Sequence, residues 1–448
     1  MSNVSPPSVH GTADRKRIAI GSAVGTTIEN YDFLLYSTAA ALYFGDAFFP
    51  SEDPVVGVLL SFLTFGVGFA ARPLGGILAG HLGDRHGRKP VLVMALLVMG
   101  AATVLIGLLP TYDQIGVLAP ILLGVIRILQ GIAFGAEWGG AILMTFEHAP
   151  WRKRGQYTAI PQAGVPLGLL LANVAFLLSA SLPGDLAWRV PFLLSTILIV
   201  VGIVIRLKVE ESPEFTDAKE QGSLAKRPII EVLKDDWRTV LRIIALRLAE
   251  TGGFYIIVTY LLSYLTTNDL ATRTTGLTGL IIATILAIGI CALVGVLTDK
   301  YGRRVVYGVG CCLMIVVAFP IFLLVNTGVA PMIIMAYVIG ISIVHAILIG
   351  TQGSWFCELF NTRTRTSGAS LGYQLAATVG GFVPFTAGAL AVAFGWSGVA
   401  VLYLVFGAIG LLGVVLTRDT WDKAERDRVE ALTAAEPLPE VHGAAGDR

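Results

Sequence analysis

Runs of roughly 20 apolar residues, separated by short polar turns, recur along the whole chain. About twelve can be drawn, near 17–44, 54–81, 90–109, 116–146, 160–180, 188–206, 239–266, 275–297, 305–325, 330–356, 368–393 and 397–417. A bilayer core about 30 Å thick takes a helix of roughly 20 residues, so each run predicts one membrane-spanning helix. The first run lacks a small-residue cleavage site and is followed by a matching span, so it is expected to be retained behind a short polar tail.

Composition agrees with that pattern. Apolar residues make up 55% of the 448 and charged residues only 14%, with a mean hydropathy of +0.74. A soluble domain is nearer one-quarter charged, so this chain cannot cover a globule with polar groups. The same figures exclude a disordered chain, and a net charge of +1 excludes a globally basic nucleic-acid binder. Cys291, Cys311, Cys312 and Cys357 show no metal-ligand spacing, and three of them lie in apolar runs as small hydrophobes. No metal, cofactor or enzymatic Cys/His or Ser/His constellation is expected, and no phosphate-binding Gly-x-x-x-x-Gly-Lys loop is present.

Basic residues sort by loop. Arg15, Lys16 and Arg17 precede span 1, Arg85, Arg88 and Lys89 follow span 2, and Arg152, Lys153 and Arg154 follow span 4. The 208–238 stretch, the Lys300–Arg304 turn, Arg363, Arg365 and the tail continue the series on one side, whereas the opposite loops hold only Arg189 and Arg273. By the positive-inside rule both termini are cytoplasmic.

The second half echoes the first. Gly80-His-Leu-Gly-Asp84-Arg85-His-Gly87-Arg88-Lys89 follows span 2, and Gly295-Val-Leu-Thr-Asp299-Lys300-Tyr-Gly302-Arg303-Arg304 follows span 8. The matching Asp, Gly and Arg are each 215 residues apart. Glu147 with Arg152, Arg154 and Gly155 is echoed by Glu358 with Arg363, Arg365 and Gly368, the two glutamates 211 residues apart. The expected organisation is a tail over 1–16, a six-helix bundle over 17–207, a linker over 208–238, a second bundle over 239–417 and a tail over 418–448. Such a duplication predicts a parallel-repeat transporter with its site between the halves.

Gly80-x-Leu82-x-Asp84-Arg85-x-Gly87-Arg88-Lys89 resembles the loop 2–3 signature of the major facilitator superfamily, and Arg127-x-x-Gln130-Gly131 resembles a second one. Glu29-Asn30-Tyr31-Asp32-Phe33, Arg72-Pro73-Leu74-Gly75-Gly76, Gly135-Ala-Glu137-Trp138 and Glu358-Leu-Phe-Asn-Thr-Arg363-x-Arg365 resemble its metabolite:proton symporters, carriers of proline/betaine, shikimate, 2-oxoglutarate and citrate. The resemblance covers about residues 15–420 and implies an all-α membrane fold of 12 helices in two pseudo-symmetric bundles. The degenerate Gly164-Val-Pro166-Leu-Gly168 in span 5 favours symport over drug efflux, and the tail after Arg418 lacks the long coiled coil of osmosensing members. Asp84, Arg85 and Arg88, with Asp299 and Arg303 as their repeats and Glu147 and Glu358 as partners, resemble the superfamily's loop network, in which an Asp meets a helix N-terminus. That implies a gate that closes the cytoplasmic side in one state and breaks in another.

Charges inside the apolar runs are costly and usually face a cavity or a partner. Glu29 and Asp32 lie three residues apart in span 1, with Tyr36 seven beyond Glu29, and are candidates for carrying a proton. In span 4, Gly131, Gly135 and Gly139 form a stripe that admits a neighbouring helix. Arg127, Gln130, Phe134 and Glu137 form another stripe roughly 120° away, expected to face the central cavity. Arg127 is always charged, so a substrate carboxylate or a protein carboxylate must balance it. Glu137 is a second proton site or a latch. Arg247 and Glu250 in span 7 serve substrate and proton or simply neutralise one another, and His345 in span 10 shares proton work or is a neutral hydrogen-bonded group. Gln162 and Asn173 in span 5, and Tyr373 and Gln374 in span 11, suit hydroxyl or carboxylate recognition.

The expected function is a proton-coupled symporter of the inner or plasma membrane that imports a small polar metabolite, most readily an organic acid, by alternating access. Its partners would be substrate, protons and the bilayer, with no nucleotide or nucleic acid, and it would act as a monomer. The alternatives are an efflux antiporter for an amphipathic compound and a transporter-like receptor that binds without flux.

Overall fold

The computed structural model describes residues 12–86, 88–135, 138–208, 228–361, 364–421, 424–425 and 427–428. Twelve long helices or helix runs dominate, and no strand occurs among the described residues. They are α1 (Thr12–Leu42), α2 (Pro54–Ala70 continued by Arg72–His86), α3 (Arg88–Leu108), α4 (Leu118–Gly135 and Trp138–His148), α5 (Arg154–Gln162 and Gly164–Ser179) and α6 (Leu186–Lys208). The second six are α7 (Trp237–Tyr255, Ile256–Tyr260 and Leu261–Thr267), α8 (Arg273–Tyr301), α9 (Arg303–Val325), α10 (Ala330–Tyr337, Val338–His345 and Ala346–Glu358), α11 (Arg365–Gly381 and Val383–Phe394) and α12 (Trp396–Leu416).

Nine of these runs are long and apolar enough to cross a membrane by composition alone, and Val93–Leu108 within α3 is a shorter apolar stretch. α1 and α7 fall outside that count because they carry the charges and polar groups of the interior. Large apolar side chains such as Leu178, Val316, Val392 and Phe394 stand exposed on the outer surface while arginines and carboxylates lie buried. That inversion is what a protein dissolved in lipid requires.

Helix pairing repeats between the halves. α1 packs on α5, α2 on α4 and α3 on α6; likewise α7 packs on α11, α8 on α10 and α9 on α12. Contacts across the halves follow the same symmetry, α5 against α8 and α2 against α11. Glycine sets the tightest pairing: a Cβ on Gly131 would overlap the Gly68 carbonyl, one on Gly135 the Arg72 carbonyl, and one on Gly75 the Ile132 carbonyl. The second half turns from α8 to α9 through Gly302 at φ +98°, a conformation that suits glycine.

Irregularities gather on the inner helices. α5 is interrupted at Ala163 between Pro161 and Pro166, each of which removes a helix hydrogen bond. α7 and α10 contain π-helical turns over Ile256–Tyr260 and Val338–His345, where Ile257 packs on Gly340. Such turns are common at functional sites.

Candidate functional site

A small cavity of about 30 Å³ lies where α1, α2, α4, α5, α7 and α11 converge. It is bordered by Glu29, Arg72, Gln162, Arg247, Glu250 and Tyr373, with Phe134, Phe254 and Tyr255 among its rings. A space of this size holds one or two waters and no organic acid, so a substrate requires the halves to part.

Arg72 opens the shorter segment of α2, directly before Pro73, and projects into this centre with 3% of its surface exposed. Its guanidinium carbon stands 3.8 Å from the Phe134 ring centroid, 4.5 Å from Phe69 and 4.6 Å from Phe33. The charge is thus held on three ring faces. No described carboxylate pairs with it, and its Nε is buried without a hydrogen-bond partner. The sequence places this arginine in a motif within span 2 without assigning it to the site. A basic residue more than 15 residues into an apolar run that begins at Pro54 was the available signal.

Arg127 does not border the cavity. It is fully buried behind Tyr36, whose ring centroid lies 3.8 Å away, with Phe33 at 4.8 Å and Phe65 at 5.5 Å. It donates to Gln130, and Gln130 donates to Thr103 of α3 at 2.8 Å. No described carboxylate reaches it, and its Nε is also unpartnered. The Tyr36 hydroxyl shares a 2.6 Å hydrogen bond with Thr64. The expected polar stripe of α4 therefore divides: Phe134 meets the cavity, whereas Arg127 is covered by rings from α1 and α2 and Gln130 turns toward α3.

The second half compensates its charge differently. Arg247 and Glu250 form an ion pair one turn apart on α7. Arg247 also donates to the Tyr373 hydroxyl at 2.6 Å and to Gln352 at 3.3 Å, and stacks 4.0 Å from the Tyr373 ring. Glu250 accepts from Thr251 at 2.9 Å, and His345 Nδ1 stands 3.4 Å from its other oxygen while the imidazole stacks on Phe254 at 4.3 Å. Arginine, carboxylate and imidazole thus form one buried cluster at the cavity wall.

The two α1 carboxylates part company. Glu29 borders the cavity, whereas Asp32 is fully buried, accepts a hydrogen bond from Ser195 of α6, and leaves its second oxygen without a partner. Three residues on a helix separate side chains by about 60°, enough to aim them at different neighbours. Gln162 and Asn173 separate as well: Gln162 donates across the halves to the Ile349 carbonyl at 3.2 Å, while Asn173 accepts from Thr38 of α1 at 3.1 Å. Gln374 reaches the Gly135 carbonyl of α4 at 3.5 Å. Glu137 lies outside the described residues.

At the end of the bundle that bears the basic loops, Asp299 accepts from the backbone N–H groups of Gly155 and Gln156, at 2.8 and 2.9 Å, in the first turn of α5. This joins the halves. Buried Arg303 pairs with Asp299 at 2.7 Å and with Glu358 at 3.0 Å, and Thr420 donates to Glu358. Trp421 donates through its indole N–H to the Asp299 carbonyl at 2.9 Å, so the chain leaving α12 is tied to the same cluster. Sequence reasoning did not anticipate Thr420 or Trp421. Glu147 is engaged by a partner, and the side chains of Asp84, Arg85 and Arg88 lie outside the described residues. Toward the other end, Tyr255 packs on Phe65 and Phe69, each at 5.3 Å, and Arg273 covers Tyr43 at 4.7 Å, so the halves also meet there.

The sequence profile described as Major Facilitator Superfamily matches residues 23–383. The chain is 39% identical over 416 residues to the shikimate transporter of Escherichia coli (strain K12), covering 90% of this chain and 95% of that one. It is 32% identical over 442 residues to the proline/betaine transporter of the same strain, covering 95% and 87%. Among solved structures, the xylose transporter of E. coli in a partially occluded inward open conformation aligns with a TM-score of 0.69 at 18% identity, over 92% of this chain and 100% of that one. That likeness is one of fold.

Proposed function

This chain belongs to the Major Facilitator Superfamily, and from that premise we propose that it is a proton-coupled symporter that imports a small organic acid into the cytoplasm. The observation that carries the reading is Arg72, a permanent cation in the central cavity that no described carboxylate balances. A buried guanidinium demands an anion or a set of rings, and the rings around Arg72 leave its planar fork of donors suited to a carboxylate. The 39% identical relative is named for shikimate, a carboxylate of the size and class expected here.

Arg247 supplies the coupling. While Glu250 is ionised it holds Arg247, and the pair presents no net charge to the cavity. A proton on Glu250 frees Arg247, which then joins Arg72 in holding the substrate carboxylate between the two halves. Substrate and proton therefore favour each other's binding, because the cation that the proton releases is offset by the substrate carboxylate. His345, beside Glu250, is placed to relay that proton, and Glu29 is a second carboxylate at the same wall. The Asp299 clasp closes the cytoplasmic end in this arrangement and must open to deliver substrate.

A monocarboxylate carried with one proton moves no net charge. Uptake into proteoliposomes should then follow an imposed pH gradient, about tenfold accumulation per pH unit, and ignore a potassium-diffusion potential. Uptake of labelled shikimate and related small acids that responds to neither, or that survives Arg72→Ala unchanged, overturns the reading. A second reading has its own observation: Glu29 and Glu250 beside Phe134, Phe254 and Tyr255 would suit the ammonium of a zwitterion such as betaine. Competition of glycine betaine against labelled organic acid separates the two.

A further inference from the structure

Beyond the Asp299 clasp, between the α4–α5 connection and the chain that leaves α12, lies a second cavity of about 480 Å³. Four arginines border it: Arg154, Arg365, Arg418 and Arg428. Arg154 is the first residue of α5 and Arg365 the first of α11. Their separation matches the 211-residue spacing between Glu147 and Glu358, so they are repeat equivalents, one from each half.

Both converge on one ring. The guanidinium carbons of Arg154 and Arg365 stand 4.2 and 5.1 Å from the Phe146 centroid, and Trp151 lies 4.4 Å from Arg154. Two like charges beside one ring repel unless an anion separates them. The carboxylates on the wall are already engaged: Glu358 is held by Arg303 and Thr420, Asp419 accepts from the backbone of Arg303 and Trp421, and Glu425 lies 3.4 Å from Arg428. Arg154 makes no hydrogen bond or ion pair among the described residues, and its Nε is buried and unpartnered. Arg365 uses only its Nε, on the Cys357 carbonyl at 3.0 Å. Arg418 is exposed, and its side chain has no ion pair among the described residues.

We propose that this cleft is a phosphate-binding site, filled by the phosphate of a soluble phosphorylated metabolite or of a phospholipid headgroup. Three guanidiniums with unused donors offer paired N–H groups to phosphate oxygens, the geometry that favours arginine for this anion. The size fits, because small-molecule sites run roughly 300–1,000 Å³. Arg154 belongs to the first half, Arg365 to the second and Arg418 to the tail, so one anion bridges all three while the clasp is shut. A ligand that binds the shut arrangement better than the open one shifts the balance toward it. Occupancy therefore slows transport. That consequence rests on the transport reading above, whereas binding itself does not.

Binding is accordingly measured without flux, on the purified full-length chain in nonionic detergent, by thermal unfolding titrated with sodium phosphate against sodium chloride of equal ionic strength. A saturable rise with phosphate is expected. It should weaken at least about tenfold in R154Q/R365Q, as expected for lost charge-assisted bonds, and by a smaller factor in R418Q, and remain unchanged in R238Q. A rise with glycerol 3-phosphate in detergent assigns the soluble source. A rise found only in nanodiscs containing phosphatidylglycerol, and absent with phosphatidylcholine alone, assigns the lipid. No saturable rise in any arm overturns the proposal, as does wild-type titration by both R154Q/R365Q and R418Q. R418Q lies on an exposed segment, so it decides the matter if the double variant does not fold.

Discussion

The two halves treat their buried arginines in opposite ways. In the first half, Arg72 and Arg127 sit on the faces of Phe33, Tyr36, Phe69 and Phe134 with no described carboxylate paired to them. In the second half, Arg247 is paired with Glu250, and Arg303 with Asp299 and Glu358. Rings attract a cation without neutralising it, whereas a carboxylate cancels it. The first half therefore presents cations held by rings near the centre, and the second presents cations held by carboxylates. On the proposed reading the difference divides the labour, one half attracting an anion and the other making that attraction depend on protons.

The comparison is most open to attack at Arg247. Arg247→Met leaves Glu250 buried without its cation and should lower stability by about 3–5 kcal/mol, read by denaturant unfolding in detergent. Adding Glu250→Gln should restore most of the loss. Arg72→Met removes a cation that no described carboxylate pairs with and should leave stability level or raised, while carboxylate uptake falls about 100-fold, or about 2.7 kcal/mol. Equal destabilisation by the two arginine variants would erase the distinction between the halves.

Smaller effects sharpen it. Asp299→Asn weakens the acceptor of two backbone N–H groups and removes a partner of Arg303. It should cost about 1–3 kcal/mol and raise the thiol reactivity of a cysteine introduced at the inner surface near α5. Arg127→Lys keeps the charge but loses the flat stacking on Tyr36, and should cost about 1 kcal/mol with little change in substrate affinity, since Arg127 does not border the cavity. A large affinity loss there would return Arg127 to the substrate site.

The periodic features were legible. Apolar runs marked the twelve helices, the Asp-x-x-Gly-Arg echo marked the turn that carries Asp299 and Arg303, and Gly131 and Gly135 of the α4 stripe are where α2 makes its closest approach. Features that depend on a broken helix were not. Gln162 and Asn173 share a face only on a straight helix, and the interruption at Ala163 lies between them. Arg72 lies well inside span 2, yet spacing alone does not show that packing brings it to the cavity. Glu29 and Asp32 look like a pair along the chain, but α6 contributes Ser195 to one of them only, a tertiary fact no local spacing carries.

The clasp at the basic end has a consequence for inheritance. Asp299 grips the main chain of Gly155 and Gln156, not their side chains. One partner is therefore a side chain fixed by its own codon, while the other is main chain, which the codon at position 156 does not specify. At position 156, drift can alter the side chain freely and leave the acceptor's partner intact, with proline the exception because it lacks the N–H. Gly155 is held by space instead, since a Cβ would overlap Thr298 and Asp299. The lock thus tolerates variation on one face and forbids it on the other, and revertants of a damaged gate should be found at and around position 299 far more often than at 156.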